Sequence, residues 1–338
     1  MIMSSPIRLV CPAGNLPAMQ AALEAGADAV YCGLRDSGNA RAFPGLNFSI
    51  QDLRNGIVAA HARQREVYLA LNTYSLDASL PARCAQVDMA AELGVDAIIA
   101  ADLAVLDHAA RRHPQMARHL SVQGSATTAA ALRYLYERVG ITRAVLPRVL
   151  SIRQVEQLCA HSPVPLEVFA FGSLCIMAEG RCHLSSHLTG ASPNVQGVCS
   201  PASAVQWREQ PDGQREVRLN GVLIDRFTPD EPAGYPTVCK GRYRVRGTVC
   251  HALEEPTSLN TLDLLPRLAQ AGVAALKIEG RQRGAAYVRQ VTAVWRTALD
   301  QYSADPQHWQ AHDLWRQQLS TQAEGHQTTL GAYDRGWQ

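Results

Sequence analysis

The chain has 338 residues, 47% of them hydrophobic and 18% charged, with 32 basic side chains against 30 acidic ones for a net charge of +2. This composition suits a globular core, argues against disorder, and contains no long run of one sign that would demand nucleic acid as a partner. The opening MIMSSPIRLV has neither a cationic start nor an apolar run of signal length, and no stretch approaches the roughly 20 apolar residues of a membrane span, so a cytoplasmic location is expected.

One pattern repeats along the chain: a helix ends at a glycine, a small or acidic residue follows, and a short apolar strand begins. It is seen in LEAGADAVYCG at 23–33, ELGVDAIIAAD at 92–102, RVGITRAVLPR at 138–148 and QAGVAALKIEG at 270–280. Glycine adopts the left-handed helix cap without a side-chain penalty, and a short continuous apolar run suits a strand buried on both faces. In chain order the predicted strands are 7–11, 28–32, 67–72, 97–101, 119–123, 143–149, 166–171 and 274–279, with helical periods between them at Pro17 to Ala25, Ile50 to Gln64 and Pro81 to Leu93.

Strict strand and helix alternation implies parallel strands, and eight of them close most simply into a TIM-like α/β barrel. An open doubly wound sheet is the rival, but no GxGxxG follows the first strand and no P-loop occurs. The expected organisation is seven β/α units over residues 1–171, a long cysteine-bearing insertion over 172–257, the last strand and closing helix over 258–302, and a tail over 303–338. Within the connection from strand seven to strand eight, Trp207 to Asp225 alternates like a hairpin and 258–271 reads as helical. The closing helix, Ala286 to Tyr302, places Tyr287, Val291, Val294, Trp295, Ala298 and Tyr302 on one face. In the tail, Leu330, Tyr333 and Trp337 are expected to pack on the barrel, with a partner's surface as the alternative.

Nine cysteines, an odd number in a long chain without a leader pattern, suit reduced thiols and metal ligands better than a disulfide framework. Cys175, Cys182, Cys199 and Cys239 are separated by six, sixteen and thirty-nine residues, with glycines at 172, 180, 190 and 197 around them. Zinc sites usually contain a close CxxC-type pair, which is missing here, whereas an iron–sulfur cluster accepts thiolates from separate loops. These four are therefore read as metal-cluster ligands. Cys11, Cys32 and Cys159 are read as buried apolar thiols, and Cys84 and Cys250 are left unassigned.

The segment E-x-F-x-x-G-S-L-C-x-x-x-x-G-x-C-x-L-S, from Glu167 through Ser185, resembles the signature of the collagenase-like peptidase family of unknown catalytic type. KIEGR at 277–281 resembles that family's second block. NAR and GLNFS at 39–49, LEEPTSLNTLDLLP and the TTLGAY ending extend the likeness, specifically to its branch in anaerobic ubiquinone biosynthesis. The resemblance implies a 4Fe-4S cluster on Cys175, Cys182, Cys199 and Cys239, a heterodimer with a paralogous subunit, and oxygen-independent hydroxylation of a quinone-precursor ring with prephenate as hydroxyl donor. Proteolysis is disfavoured, because no HExxH, no GxSxG and no Cys and His pair nominated by spacing is present. A radical-SAM reading lacks its compact CxxxCxxC run.

In a barrel, Asn72, Asp102, Gln123, Arg148, Glu167 and Glu279 are expected at carboxyl ends of strands, where side chains converge on one chamber. Arg148 and Arg281 can hold the carboxylates of a dianionic donor such as prephenate, since a guanidinium matches a carboxylate bidentately. Asn72 and Gln123 are candidate substrate contacts. Glu167 and Glu279 are candidates for proton transfer or for orienting those arginines. Asn39, Arg41, Asn47 and Phe48 form a loop expected over the same face, and His183 and His187 are read as solvated. The rival function is a cluster-bearing tRNA or rRNA hydroxylase of the same family; a third is a non-catalytic scaffold subunit.

Overall fold

The computed structural model describes residues 7–36, 38–42, 45–175, 182–191, 199–231 and 233–335. Six β/α units and a seventh strand come first: β1 (Arg8–Pro12), α1 (Leu16–Glu24), β2 (Ala29–Cys32), α2 (Ile50–His61), β3 (Glu66–Leu71), α3 (Leu80–Glu92) and β4 (Ala97–Ala100). They continue with α4 (Leu103–Arg112), β5 (Ala117–Leu120), α5 (Ala129–Val139), β6 (Arg143–Val145), α6 (Ile152–His161) and β7 (Leu166–Ser173). The insertion holds α7 (His183–Thr189), then strands β8 (Val205–Glu209), β9 (Arg215–Leu219), β10 (Val222–Phe227), β11 (Arg242–Val245), β12 (Thr248–His251) and β13 (Ser258–Asn260). The chain returns through α8 (Leu265–Gln270) and β14 (Ala275–Ile278), and ends with α9 (Ala285–Ala304), α10 (Asp313–Gln322) and the short β15 (Thr328–Thr329).

Strands β1 to β7 are parallel in sequence order, and β14 pairs in parallel with both β7 and β1, so the eight-stranded barrel closes. The expected TIM-like barrel is the observed fold. The repeated glycines do what the sequence asked of them: Gly26, Gly94, Gly140 and Gly272 all take positive φ, between 59° and 93°, where each helix hands over to a strand.

Alternation along the strands sorts side chains into two layers. Leu9 and Cys11 of β1 and Val30 and Cys32 of β2 point outward into the main core beneath the helices, whereas Val10, Ala29 and Tyr31 line the barrel interior with Tyr68, Ala97, Ile99 and Ala275. Cys11 and Cys32 are fully buried there, as apolar thiols should be. Helix α9 lies against α1 and buries Tyr287, Val291, Val294, Trp295 and Ala298, which closes the outer layer as its periodicity predicts. Leu330 and Tyr333 of the tail pack on the same core; Trp337 lies outside the described residues.

Two expectations for the insertion are corrected. Trp207 to Asp225 belongs to a three-stranded antiparallel sheet, β8 to β10, rather than a single hairpin. Residues Ser258–Asn260 form a strand, not the start of a helix, pairing antiparallel with the part of β7 that runs past the barrel rim. The insertion has a small core of its own, Val217, Leu219, Ile224 and Phe227, onto which Leu188 of α7 and Val238 pack. Among the described residues no helix is long and apolar enough to cross a membrane.

Candidate functional site

The site is built where β7 leaves the barrel. A bulge interrupts its pairing with β14, Lys277 facing Phe169 and Ile278 facing Phe171. The carbonyl of Ala170, skipped by the bulge, accepts from both the backbone and the hydroxyl of Thr261. Bulges of this kind re-aim a strand next to active sites. Gly172 then takes φ +125°, and a Cβ placed on it would stand 2.6 Å from the Cβ of Glu279. Only glycine allows these two strand ends to approach so closely.

Ser173 follows, and all three of its polar groups are engaged. Its carbonyl accepts from Arg148 at 2.8 Å, its N–H donates to Glu279 Oε2 at 3.4 Å, and its hydroxyl donates to Glu324 at 2.6 Å. Glu324, from the tail, also pairs with Lys240 and lies 3.8 Å from Arg283. Ser173 stands two residues before Cys175 and Lys240 one residue after Cys239, so this network joins the strand-end polar residues to two of the predicted cysteines.

All four candidate cysteines are free thiols and half-buried. Cys182 caps the amino end of α7 by accepting from Ser185 N, while the Ser185 hydroxyl donates to the carbonyl of Cys199. Helix α7 packs against the turn at 238–240 that carries Cys239. Burial pushes the Cys239 thiol up to about 11, and Cys175 and Cys199 are close enough to add to that rise. The structure thus gathers the four thiols from separate segments into one region. No three of them lie within 4.8 Å of one another, wider than the roughly 3.8 Å between sulfurs around a tetrahedral zinc. Gly180 and Gly197 lie outside the described residues. His183 and His187 on α7 are exposed.

The other predicted residues divide. Glu279 and Arg281 follow β14 at its carboxyl end, as expected. Arg281 is 6% exposed, donates to Asn39 Oδ1 at 2.7 Å, and has its guanidinium 5.6 Å from the centre of the Tyr31 ring. Burial works against its charge and the neighbouring Arg41 adds to that pressure. Asn39 also bonds Asn47, which donates to the carbonyl of Arg41, and Asn72 accepts from the N–H of Ala40. Asn39, Ala40, Arg41 and Asn47 are therefore pinned over the rim near Arg281. Arg148 stacks on Phe169 at 4.0 Å. Gln123 is 4% exposed and its side-chain oxygen is buried without a partner. Asp102 is a helix cap, accepting from Ala104 N and Ser75 N.

Glu167 is not at a carboxyl end. It is the second residue of β7, pointing into the barrel, where it meets Lys277 Nζ at 2.6 Å and Arg143 at 3.3 Å with no exposed side-chain surface. Burial alone would raise its carboxyl, but Lys277, Arg143 and His119 outweigh that and hold it below the usual range. His119 beside it is pushed down to about 3, first by burial and then by Arg143. Sequence reasoning missed this interior network, together with Ser173, Lys240 and Glu324; a lysine inside the apolar run ALKIEG and the glutamate one residue into β7 were the available signals.

The profile of peptidase family U32 matches residues 14–334. The chain is 30% identical over 319 residues to the tRNA hydroxylation protein P of Escherichia coli strain K12, covering 88% of this chain and 68% of that protein. It is 29% identical over 326 residues to a protein named collagenase from Porphyromonas gingivalis, covering 93% of this chain and 70% of that protein. Over 300 residues it is 29% identical to the 23S rRNA 5-hydroxycytidine C2501 synthase of Escherichia coli, covering 88% of this chain and 40% of that protein. With its barrel and a family profile over nearly its whole length, the chain belongs to peptidase family U32.

Proposed function

We propose that this chain is the iron–sulfur subunit of a cytoplasmic, oxygen-independent hydroxylase that acts on the aromatic ring of a ubiquinone precursor. The observation that carries the reading is the junction at Ser173, which ties Arg148 and Glu279 to the segments bearing Cys175 and Cys239. Four half-buried thiols from separate segments, no three of them within 4.8 Å of one another, suit a 4Fe-4S cluster held by Cys175, Cys182, Cys199 and Cys239. When bound there, such a cluster supplies a redox or Lewis-acid centre beside the rim.

The chain's own residues provide the chamber. Hydroxylation turns a ring C–H into C–OH, a two-electron oxidation; a donor that gives up its hydroxyl takes up the hydrogen and is reduced by two electrons, so no dioxygen is required. Arg281, buried and bonded to the neutral Asn39, has a use for an anion, and with Arg148 it would orient the two carboxylates of prephenate. Gln123 offers its unpartnered oxygen to a polar group of the donor or of the polyprenyl-phenol precursor, and Glu279 would move the proton. Glu167 is assigned to holding the barrel interior. In keeping with the sequence likeness to the branch that works in anaerobic ubiquinone biosynthesis, the partner would be a paralogous, UbiV-like subunit in a heterodimer. A peptidase role has less support, since Cys182 and Cys239 bond to Ser185 and Thr237 rather than to a histidine base.

RNA hydroxylation is the second reading, favoured by the named relatives and by Arg244 and Arg246, exposed on the β11–β12 hairpin. Analysis of quinones and RNA from a deletion strain grown with and without oxygen separates the two. Loss of ubiquinone only without oxygen supports the proposal; normal anaerobic ubiquinone with a missing RNA hydroxyl group supports the second reading.

A further inference from the structure

On the outside of the barrel α3 and α4 pack side by side, and three ligand-type side chains converge between them. Asp88 lies in the second half of α3 and His108 in the second half of α4. His113 ends α4, its backbone leaving the helix at φ −133° and ψ 63°, which swings the ring back toward the face that carries His108. Both imidazoles bring Nε2 to the same carboxylate oxygen, Asp88 Oδ1, at 2.8 Å from His108 and 2.6 Å from His113. One carboxylate oxygen can accept from both rings, so the contacts alone also fit a hydrogen-bonded clasp. Here the three donor atoms all lie within 4.8 Å of one another, the only such set of His, Cys, Asp and Glu ligand atoms among the described residues.

We infer that Asp88, His108 and His113 form a binding site for a divalent cation of the zinc class. Two imidazoles and one carboxylate prefer such borderline ions to magnesium or calcium, which take oxygen-rich shells. Ligand bonds of roughly 2.0–2.2 Å place donors about 3.4 Å apart around a tetrahedral ion, within reach of small side-chain rotations from the observed positions. Three protein ligands leave one position for water. The side chains of His108, His113 and Asp88 are 23%, 25% and 37% exposed, so an ion can enter without the fold opening.

The ion would join two neighbouring helices near their carboxyl ends, the side of the barrel opposite the cysteine-bearing rim, where a structural role is expected. The site owes nothing to the hydroxylase reading and stands or falls separately.

The test is a Co2+ titration of the full chain beside its His108→Gln/His113→Gln double variant, with circular dichroism reporting that both are folded. The expected result is one cobalt per chain showing nitrogen and oxygen ligation, displaced by Zn2+, and bound at least tenfold more weakly by the double variant. Zn2+ should also raise the melting temperature of the native protein and not that of the variant. Should the double variant fold poorly, the isosteric Asp88→Asn makes the same comparison. Titrations that coincide for native protein and variant would reduce the cluster to a hydrogen-bonded clasp.

Discussion

The hydroxyl of Ser173 donates to Glu324 at 2.6 Å, fastening the exit of β7 to a turn 151 residues further along the chain. Because Glu324 also holds Lys240, one tail carboxylate braces both the strand that leads to Cys175 and the turn that presents Cys239. Replacing Glu324 by alanine strands a mostly buried ammonium and a hydroxyl, at a cost of about 1.5–3 kcal/mol for a charge-assisted bond. Denaturant unfolding should show that loss, and iron should leave the Glu324→Ala protein faster than the native one. Equal iron retention would show that the tail does not brace the cysteines.

Inside the barrel, Lys277 and Glu167 form a pair with almost no exposed surface. Truncating Lys277 leaves the buried Glu167 carboxylate with only the longer Arg143 contact at 3.3 Å, so Lys277→Met should destabilise the fold by up to about 3–5 kcal/mol. The pH dependence has a definite sign. The Glu167 carboxyl is held below its ordinary value of 4.5 in the folded protein, so the unfolded chain takes up that proton first. Its contribution is fully present above about pH 4.5 and is lost as pH falls through the depressed folded value. Acid unfolding of the native protein and of Glu167→Gln should converge at the low end of that window.

Arg281 contacts Asn39 through one N–H and lies near Arg41, an arrangement that favours an anion. Arg281→Lys keeps the charge and loses the planar fork, so the KM for the dianionic donor should rise at least tenfold, about 1.4 kcal/mol, with a smaller change in kcat. An unchanged KM would remove Arg281 from the donor site.

Gly172→Ala puts a methyl group against the Cβ and carbonyl of Glu279 in a backbone region that side chains avoid. The strain should amount to about 1–3 kcal/mol and should move Glu279 away from Ser173. Thermal unfolding measures the first effect, and loss of activity in protein that remains folded measures the second.

Much of the barrel could be read from the sequence because its signals are local: a glycine cap, a small residue and an apolar run recur wherever α hands over to β, and Gly26, Gly94, Gly140 and Gly272 all cap as read. The residues at 258–260 were less legible because leucines at 259, 262, 265 and 268 imitate a helical face, while their partner is the protruding end of β7, distant in sequence. Glu167 misled for a related reason. Beside strand-end residues it looked like one of them, yet at the second position of β7 strand alternation turns it into the barrel, where Lys277 and Arg143 compensate its charge. Ser173, Lys240 and Glu324 carry no motif; only the folded chain brings them together.

The central claim is that Cys175, Cys182, Cys199 and Cys239 hold an iron–sulfur cluster at the barrel rim. Iron analysis and absorption spectroscopy of anaerobically purified protein test it most directly. The expected result is a brown protein with about four irons per chain, its chromophore lost in Cys175→Ala and in Cys239→Ala and kept in Cys84→Ala. A colourless protein whose thiolates bind zinc instead of iron would contradict it.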